Sequence, residues 1–274
     1  MHFNFGLDIS ATNNPLGFAY GDDCFGPVVE NRKLNNIRES LLDPNCSGPE
    51  TVYAIAMDVG KYEHKKILQE RMLLYEVVTY ASGRLGEELV RSHGHIHRIS
   101  QHSSWSPPEV YEIWSGSAII YMQEYANDDP GRCFAVHANV GDVVIVPPQC
   151  AHATISADPL TPLTFGVWCD REYSFLYDKV KAHKGLAWYP LFNKNNELHW
   201  QQNLHYRTSE LIIKEPEDYY TLFGIEKNIP IYTQFENDVR EKILIRLLIL
   251  CRAKIMVANF VWATGLQWVK IFLM

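Results

Sequence analysis

The sequence predicts an all-β protein built on a double-sheet jelly-roll barrel. Three observations lead there. From residue 51 onward the chain carries a series of short runs rich in β-branched and aromatic residues; turn residues separate them at regular spacing; and no long helical period intervenes. The runs fall at 52–57, 73–80, 109–114, 118–124, 133–138, 142–146, 153–156 and 163–168. Ala81-Ser82-Gly83, Ser115-Gly116-Ser117 and Asn127-Asp128-Asp129-Pro130-Gly131 mark turns between them.

The flanks differ in texture. Residues 1–50 are rich in Gly, Asn, Asp and Pro and read as an N-terminal extension of loops packing on the barrel, with one short helix over 35–42. The barrel domain is expected over 51–204, closing with a charged segment at 179–185 and a hairpin at 188–200 that turns at Asn193-Lys194-Asn195-Asn196. Residues 205–274 form a C-terminal extension, polar and mixed to about residue 240 and apolar from 243. Residues 255–269 carry no charge, but Arg252 and Lys254 interrupt the apolar run short of the ~20 residues a spanning helix needs. The tail is therefore expected to pack as a helix, not to anchor the chain in a membrane.

Bulk properties narrow the class of function. The 274 residues are 47% hydrophobic, enough for a sizeable core. With 25 Lys+Arg against 32 Asp+Glu, the net charge of -7 argues against nucleic acid or an anionic membrane surface as the main partner. An anionic small molecule remains open, because one metal ion and a few donors can overrule the global charge locally. The six cysteines, Cys24, Cys46, Cys133, Cys150, Cys169 and Cys251, are scattered with no C-x-x-C pair, which fits reduced thiols. The N-terminus lacks a basic segment followed by an apolar one, so a cytoplasmic protein is expected.

The chemistry lies in Ser92-His93-Gly94-His95-Ile96-His97. Residues two apart on a strand point to one face, so His95 and His97 project their imidazoles into the same space. His93 shares that parity, as a further ligand or as a group supporting one. Glu109 follows, with Tyr111 on its face and Glu112 on the opposite one, and it is the one carboxylate expected at the site. His152 comes just past Pro147-Pro148, where proline cannot join a ladder and the chain must turn at a barrel mouth. Three imidazoles and a carboxylate make a nitrogen–oxygen donor set suited to one divalent Fe, Mn, Ni, Co or Zn ion. His2, His64, His102, His137, His183, His199 and His205 have no second ligand at strand spacing and read as ordinary surface or core histidines.

These runs resemble the two motifs of the cupin superfamily, through Glu109-x6-Gly116 and Gly141-x5-Pro147-x4-His152. Gly94-His95-Ile96-His97, Pro108-Glu109-Val110-Tyr111-Glu112 and Pro147-Pro148-Gln149-Cys150-Ala151-His152, with the stretch from 177 to 185, are similar to the cupin-type glucose-6-phosphate isomerase family over residues 50–200. The resemblance implies a cupin barrel that interconverts glucose 6-phosphate and fructose 6-phosphate in glycolysis and gluconeogenesis, as a homodimer. It also implies a metal held by His95, His97, Glu109 and His152, Fe2+ foremost, with Zn2+, Mn2+ or Ni2+ as alternatives. Glu109 and Tyr111 would be catalytic, and Tyr53, Ser92, Gly94 and Tyr177 would touch the sugar phosphate. Glu109 would carry a proton between C2 and C1 in an enediol route, or serve mainly as a ligand in a hydride-shift route.

Three departures from the family pattern stand out. The stretch from Arg98 to Pro108 is longer than usual and carries His102, Ser103, Ser104 and Trp105 to the pocket rim. Gln149 and Ser156 replace the glycine and asparagine of the second motif. A threonine expected on the strand before the first motif falls on Val78, with Thr79 facing the other way. Three readings compete: an isomerase of an unphosphorylated sugar such as lyxose or mannose, an Fe(II) dioxygenase on the same ligands, and a sugar-binding cupin without catalysis.

Overall fold

Two antiparallel sheets face one another across a common apolar interior. The computed structural model describes residues 5–193, 195 and 197–237, and so the apolar run from 243 lies outside the described residues. One sheet has six strands in the spatial order Val143–Val146, Glu109–Ser115, Thr164–Asp170, Leu73–Tyr80, Thr51–Ala56 and Glu30–Lys33. The other orders Ala151–Ser156, Ala118–Gln123, Cys133–Ala138 and Leu211–Lys214, the last running parallel to its neighbour. The segment from 90 to 95 runs antiparallel along the free edge of Ala151–Ser156, through the Arg91–Ile155 and His95–His152 bridges. This is the expected jelly-roll barrel.

Both sheets are covered on both faces. Between them lie Val78, Tyr80, Ile113, Ile120, Val136, Val144, Phe165 and Val167. Outside the six-stranded sheet, Tyr75, Val77, Trp114 and Trp168 meet Leu7, Ile9, Phe25 and, from the C-terminal region, Tyr219, Ile231, Tyr232 and Phe235. Outside the smaller sheet, Ile119, Tyr121 and Ile155 meet Val180, Leu186 and Tyr206. With no wet face, a strand such as Leu73–Tyr80 is buried at every position and reads as a continuous apolar run instead of an alternating one.

Several elements are absent from the sequence pattern or differ from it. The predicted helix at 35–42 is one α-turn, Leu34–Ile37, continued as a 3-10 turn, Arg38–Ser40. Residues 1–50, read as loops, contain the hairpin Ile9–Asn13/Leu16–Tyr20 and the edge strand Glu30–Lys33, which pairs with Thr51–Ala56. That edge strand is mostly exposed and joins the sheet through its backbone, so its side chains carry no apolar signal. Leu211–Lys214 is likewise hidden in a stretch read as polar. The charged segment at 179–185 forms the helix Asp178–Ala182. The hairpin Trp188–Phe192/Leu198–Gln202 stands where the sequence places one. Among the described residues no helix is long and apolar enough to cross a membrane, and the five cysteines are free thiols.

Two buried polar links pin the covering layers to the barrel. Arg91, whose side chain is 4% exposed, gives Nε–H to Glu88 Oε2 at 2.7 Å and reaches Ser40 through its other nitrogens. Glu88 Oε1 in turn accepts the Leu42 N–H at 2.6 Å, which ties the turn after residue 37 to the segment leading into the histidines. Removing one partner of such a pair strands a charge in the interior. Arg91→Ala is therefore expected to lower stability by about 3–5 kcal/mol in chemical denaturation.

On the opposite side, Glu112 accepts the Ile231 N–H at 2.9 Å and the Trp114 indole N–H at 3.1 Å, fastening the helix Ile231–Asn237. Burial pushes its pKa from 4.5 up to about 8, against the pull of those two donors. The folded chain thus holds a proton there that the unfolded chain releases. The contribution is complete below pH 4.5 and is lost as pH rises through about 8. Glu112→Gln is expected to flatten the decline of the melting temperature between pH 5 and 8, a slope of at most about 1.4 kcal/mol per pH unit.

Candidate metal centre

The site is assembled from a strand edge, a sheet strand and a turn. Gly94 sits at φ +84, and a Cβ there would lie 3.0 Å from Leu186 Cδ1, so only glycine passes without displacing the helix side of the barrel. His95 exchanges both backbone hydrogen bonds with His152, at 3.1 and 3.0 Å, which brings their ring centroids to 4.3 Å. His97 lies one pleat further along the same face, its ring nearly parallel to that of His95 at 5.1 Å. Gln149, in the position of the motif glycine, adopts φ +68 and is held by the Ser106 hydroxyl, which accepts its N–H at 3.1 Å. The left-handed turn is kept at a cost of roughly 1–2 kcal/mol.

Two of the imidazoles are aimed by carbonyls. His97 Nδ1 stands 3.0 Å from Pro107 O, and His152 Nδ1 stands 3.1 Å from Cys150 O. A carbonyl only accepts, so each Nδ1 carries a hydrogen and each Nε2 is turned inward. His97 Nε2 lies 3.0 Å from Glu109 Oε1, His152 Nε2 lies 3.1 Å from Glu109 Oε2, and the Nε2 atoms of His95 and His97 are 3.1 Å apart. The extended 98–108 loop supplies this aim for His97. Its Pro107 carbonyl takes the Nδ1–H, and Ser106 Oγ–H donates to the His97 carbonyl at 2.9 Å.

The donor set fits a divalent ion. Four ligand atoms, from His95, His97, Glu109 and His152, all lie within 4.8 Å of one another. Donors surrounding an ion at ~2.1 Å stand roughly 3–3.4 Å from their neighbours, the spacing found here. Two imidazole Nε2 atoms held 3.1 Å apart also suit a shared cation. Burial alone would raise the Glu109 pKa, but the facing His97 and His152 outweigh it and hold the carboxyl well below its usual range. Burial pushes His95 well down, helped by its two imidazole neighbours, so it presents a neutral ring. His97, Glu109 and His152 are 2–3% exposed, whereas His95 is half-buried and marks the open side.

The other residues singled out in the sequence distribute around this centre. Tyr111 gives its hydroxyl hydrogen to Glu109 Oε2, so toward a bound sugar it can only accept. Tyr177 packs edge-on against His93 at 5.0 Å and against His95 at 6.0 Å. Tyr53 is buried and stacks on Tyr80 at 5.0 Å. Ser92 Oγ accepts the Thr154 N–H at 3.1 Å, which ties it to the ladder. His93 turns Nδ1 to Gly94 O at 3.1 Å and lies outside the donor group. Val78 is in the barrel core, and Thr79 pairs with Thr164 at 3.0 Å, as the parity of the strand requires.

Glu109 is not the only carboxylate inside. Glu76, on the inward face of Leu73–Tyr80, is 6% exposed and held protonated well above the usual range by burial and by the charge of Glu109. A strand buried at all eight positions offers no polar–apolar alternation to reveal which parity faces the site. Phe175 was also missed; its ring lies 4.4 Å from that of His95. A second group, Glu63, His64 and Glu236, is close-set as well, but Lys61 Nζ already lies 2.5 Å from Glu236 Oε1.

A family model described as Glucose-6-phosphate isomerase (GPI) matches residues 37–209, a span that contains every metal-centre residue named above. No curated protein matches the chain at a significant level. Among solved structures the chain is similar to vicilin from hazelnut, Corylus avellana, at 11% identity over 48% of this chain and 33% of that one, with a TM-score of 0.35. It is similar also to oxalate decarboxylase from Bacillus subtilis, at 15% identity over 47% of this chain and 28% of that one, with a TM-score of 0.33. The chain thus spans about a third of the length of these structures.

Proposed function

Because the chain belongs to the glucose-6-phosphate isomerase (GPI) family, we propose that it interconverts glucose 6-phosphate and fructose 6-phosphate at a divalent ion held by His95, His97, Glu109 and His152. The observation that carries this reading is the convergence of three imidazole nitrogens and an ionised carboxylate at a barrel mouth, inside the matched span. Iron(II) suits that donor set, as do zinc, manganese and nickel. When bound, such an ion polarises the sugar carbonyl and offsets the negative charge that builds as the hydrogen moves, a contribution of several kcal/mol.

The remaining work falls to side chains. Glu109 takes the proton from C2 of the open-chain sugar and returns it to C1, while the hydroxyl proton passes from O2 to O1. Tyr111 fixes the carboxylate plane by donating to Oε2, and His97 and His152 keep Glu109 ionised in a dry site. Tyr53, Tyr177, Ser92 and the backbone around Gly94 form the wall along which the rest of the sugar lies.

The test is a substrate panel. Fructose 6-phosphate is expected to turn over with kcat/KM at least about 100-fold above free fructose, mannose or lyxose, the loss of a charged, hydrogen-bonded substrate group being worth that much. A preference for lyxose or mannose would transfer the assignment to a free-sugar isomerase. Oxygen consumption without sugar turnover would transfer it to a dioxygenase.

A further inference from the structure

We propose that Arg32, on the edge strand before the matched span, is the cation that recognises the phosphate of the substrate; this rests on the isomerase reading above. The strand Glu30–Lys33 pairs with Thr51–Ala56 so that Arg32 stands opposite Tyr53. Directly opposed residues of an antiparallel pair share a face, so the guanidinium lies on the side of the sheet that carries the Tyr53 ring, and its charge reaches the hydroxyls of both Tyr53 and Tyr177. Tyr177 is the ring beside His95, at 6.0 Å. One tyrosine therefore separates the guanidinium from a metal-centre imidazole.

The chemistry of this wall is that of an anion receptor. It joins two tyrosine hydroxyls and a guanidinium, whose planar fork matches phosphate oxygens in pairs. Arg32 meets Glu30 at 3.1 Å through Nη2, and a guanidinium carries five N–H donors in all. Its side chain is 31% exposed, open to a ligand arriving from solvent. A local cation is also needed here. The chain is net negative, and the charge of Glu30 reaches Tyr177, so a phosphate would otherwise meet repulsion at this end of the site.

The experiment compares the full chain with Arg32→Gln and Arg32→Lys, measuring fructose 6-phosphate kinetics, inhibition by inorganic phosphate and calorimetric binding of inorganic phosphate alone. Metal content and the melting transition of each variant establish that it is folded. Arg32→Gln is expected to raise KM for fructose 6-phosphate on the order of 10–100-fold, with a much smaller change in kcat, and to weaken phosphate binding in parallel. Arg32→Lys is expected to restore part of both, keeping the charge without the fork. A folded, metal-replete Arg32→Gln with unchanged KM and unchanged phosphate binding would overturn the assignment. If the native chain turned over no sugar phosphate yet bound phosphate in an Arg32-dependent way, the anion site would stand and the isomerase reading would fall.

Discussion

Glu109→Gln is expected to lower kcat for fructose 6-phosphate isomerisation by roughly 10²–10⁴-fold, the range of a lost general base, and Glu109→Ala to abolish turnover. The carboxylate serves in two ways at once. Its oxygens lie 3.0 and 3.1 Å from the inward nitrogens of His97 and His152, and Oε2 also receives the Tyr111 hydroxyl hydrogen. An amide of the same shape keeps the volume but cannot take a proton, and its NH₂ would face donors. The coupled assay for glucose 6-phosphate must be read together with metal content. An active, metal-replete Glu109→Ala protein would eliminate the proposed role in both the enediol and the hydride-shift routes.

The second large effect is expected from His152→Ala. This imidazole is gripped by the Cys150 carbonyl and by the two backbone bonds to His95, so it is poised with little freedom to lose on binding. Its removal leaves three donors and opens the floor of a site that is 2% exposed at that residue. Activity should fall to background. In the native chain, an ion at 100 times its Kd raises stability by about 2.7 kcal/mol, seen as a metal-dependent rise in melting temperature. In His152→Ala that rise should vanish while the metal-free transition stays within a few degrees of native, because no charged partner is left unsatisfied except Glu109, which His97 still faces. A metal-dependent melting shift of native size in His152→Ala would contradict its place among the ligands.

How much of this could be read from the chain differs by element, for physical reasons. The barrel strands were legible because their burial on both faces forces β-branched and aromatic residues into short runs. The four donor residues were legible because strand parity alone places His95 with His97 and Glu109 with Tyr111, and a double proline puts His152 past a turn. The Glu30–Lys33 strand was not, since backbone pairing at an edge leaves no side-chain signature, and Leu211–Lys214 was not because its short Leu211-Ile212-Ile213 run stands alone among polar residues. Glu76 escaped for the opposite reason: full burial erases the alternation that would mark its face. The covering role of Tyr219, Ile231, Tyr232 and Phe235 was lost among the polar residues between them. At Gln149 the sequence shows only a substitution. The φ of +68 shows that the backbone still demands what glycine gives freely, with Ser106 helping to hold it.

The extended loop between His97 and Glu109 also takes on a defined job. It was expected at the pocket rim, where it would alter substrate choice. Its clearest contacts run to His97, through the Pro107 carbonyl and the Ser106 hydroxyl, and to Glu172, whose Oε2 accepts the His102 N–H at 2.8 Å. The loop thus aims one imidazole of the donor group, and the charge proposed to meet the substrate's phosphate is that of Arg32.

The central claim, a metal-dependent isomerase at His95, His97, Glu109 and His152, is tested most directly by one coupled assay. Glucose 6-phosphate formation from fructose 6-phosphate is followed in the native chain, after EDTA treatment, and after adding back Fe2+, Zn2+, Mn2+ or Ni2+ singly. The account predicts turnover that EDTA abolishes and that at least one of these ions restores. Absence of product with every ion, or turnover indifferent to EDTA, would contradict it.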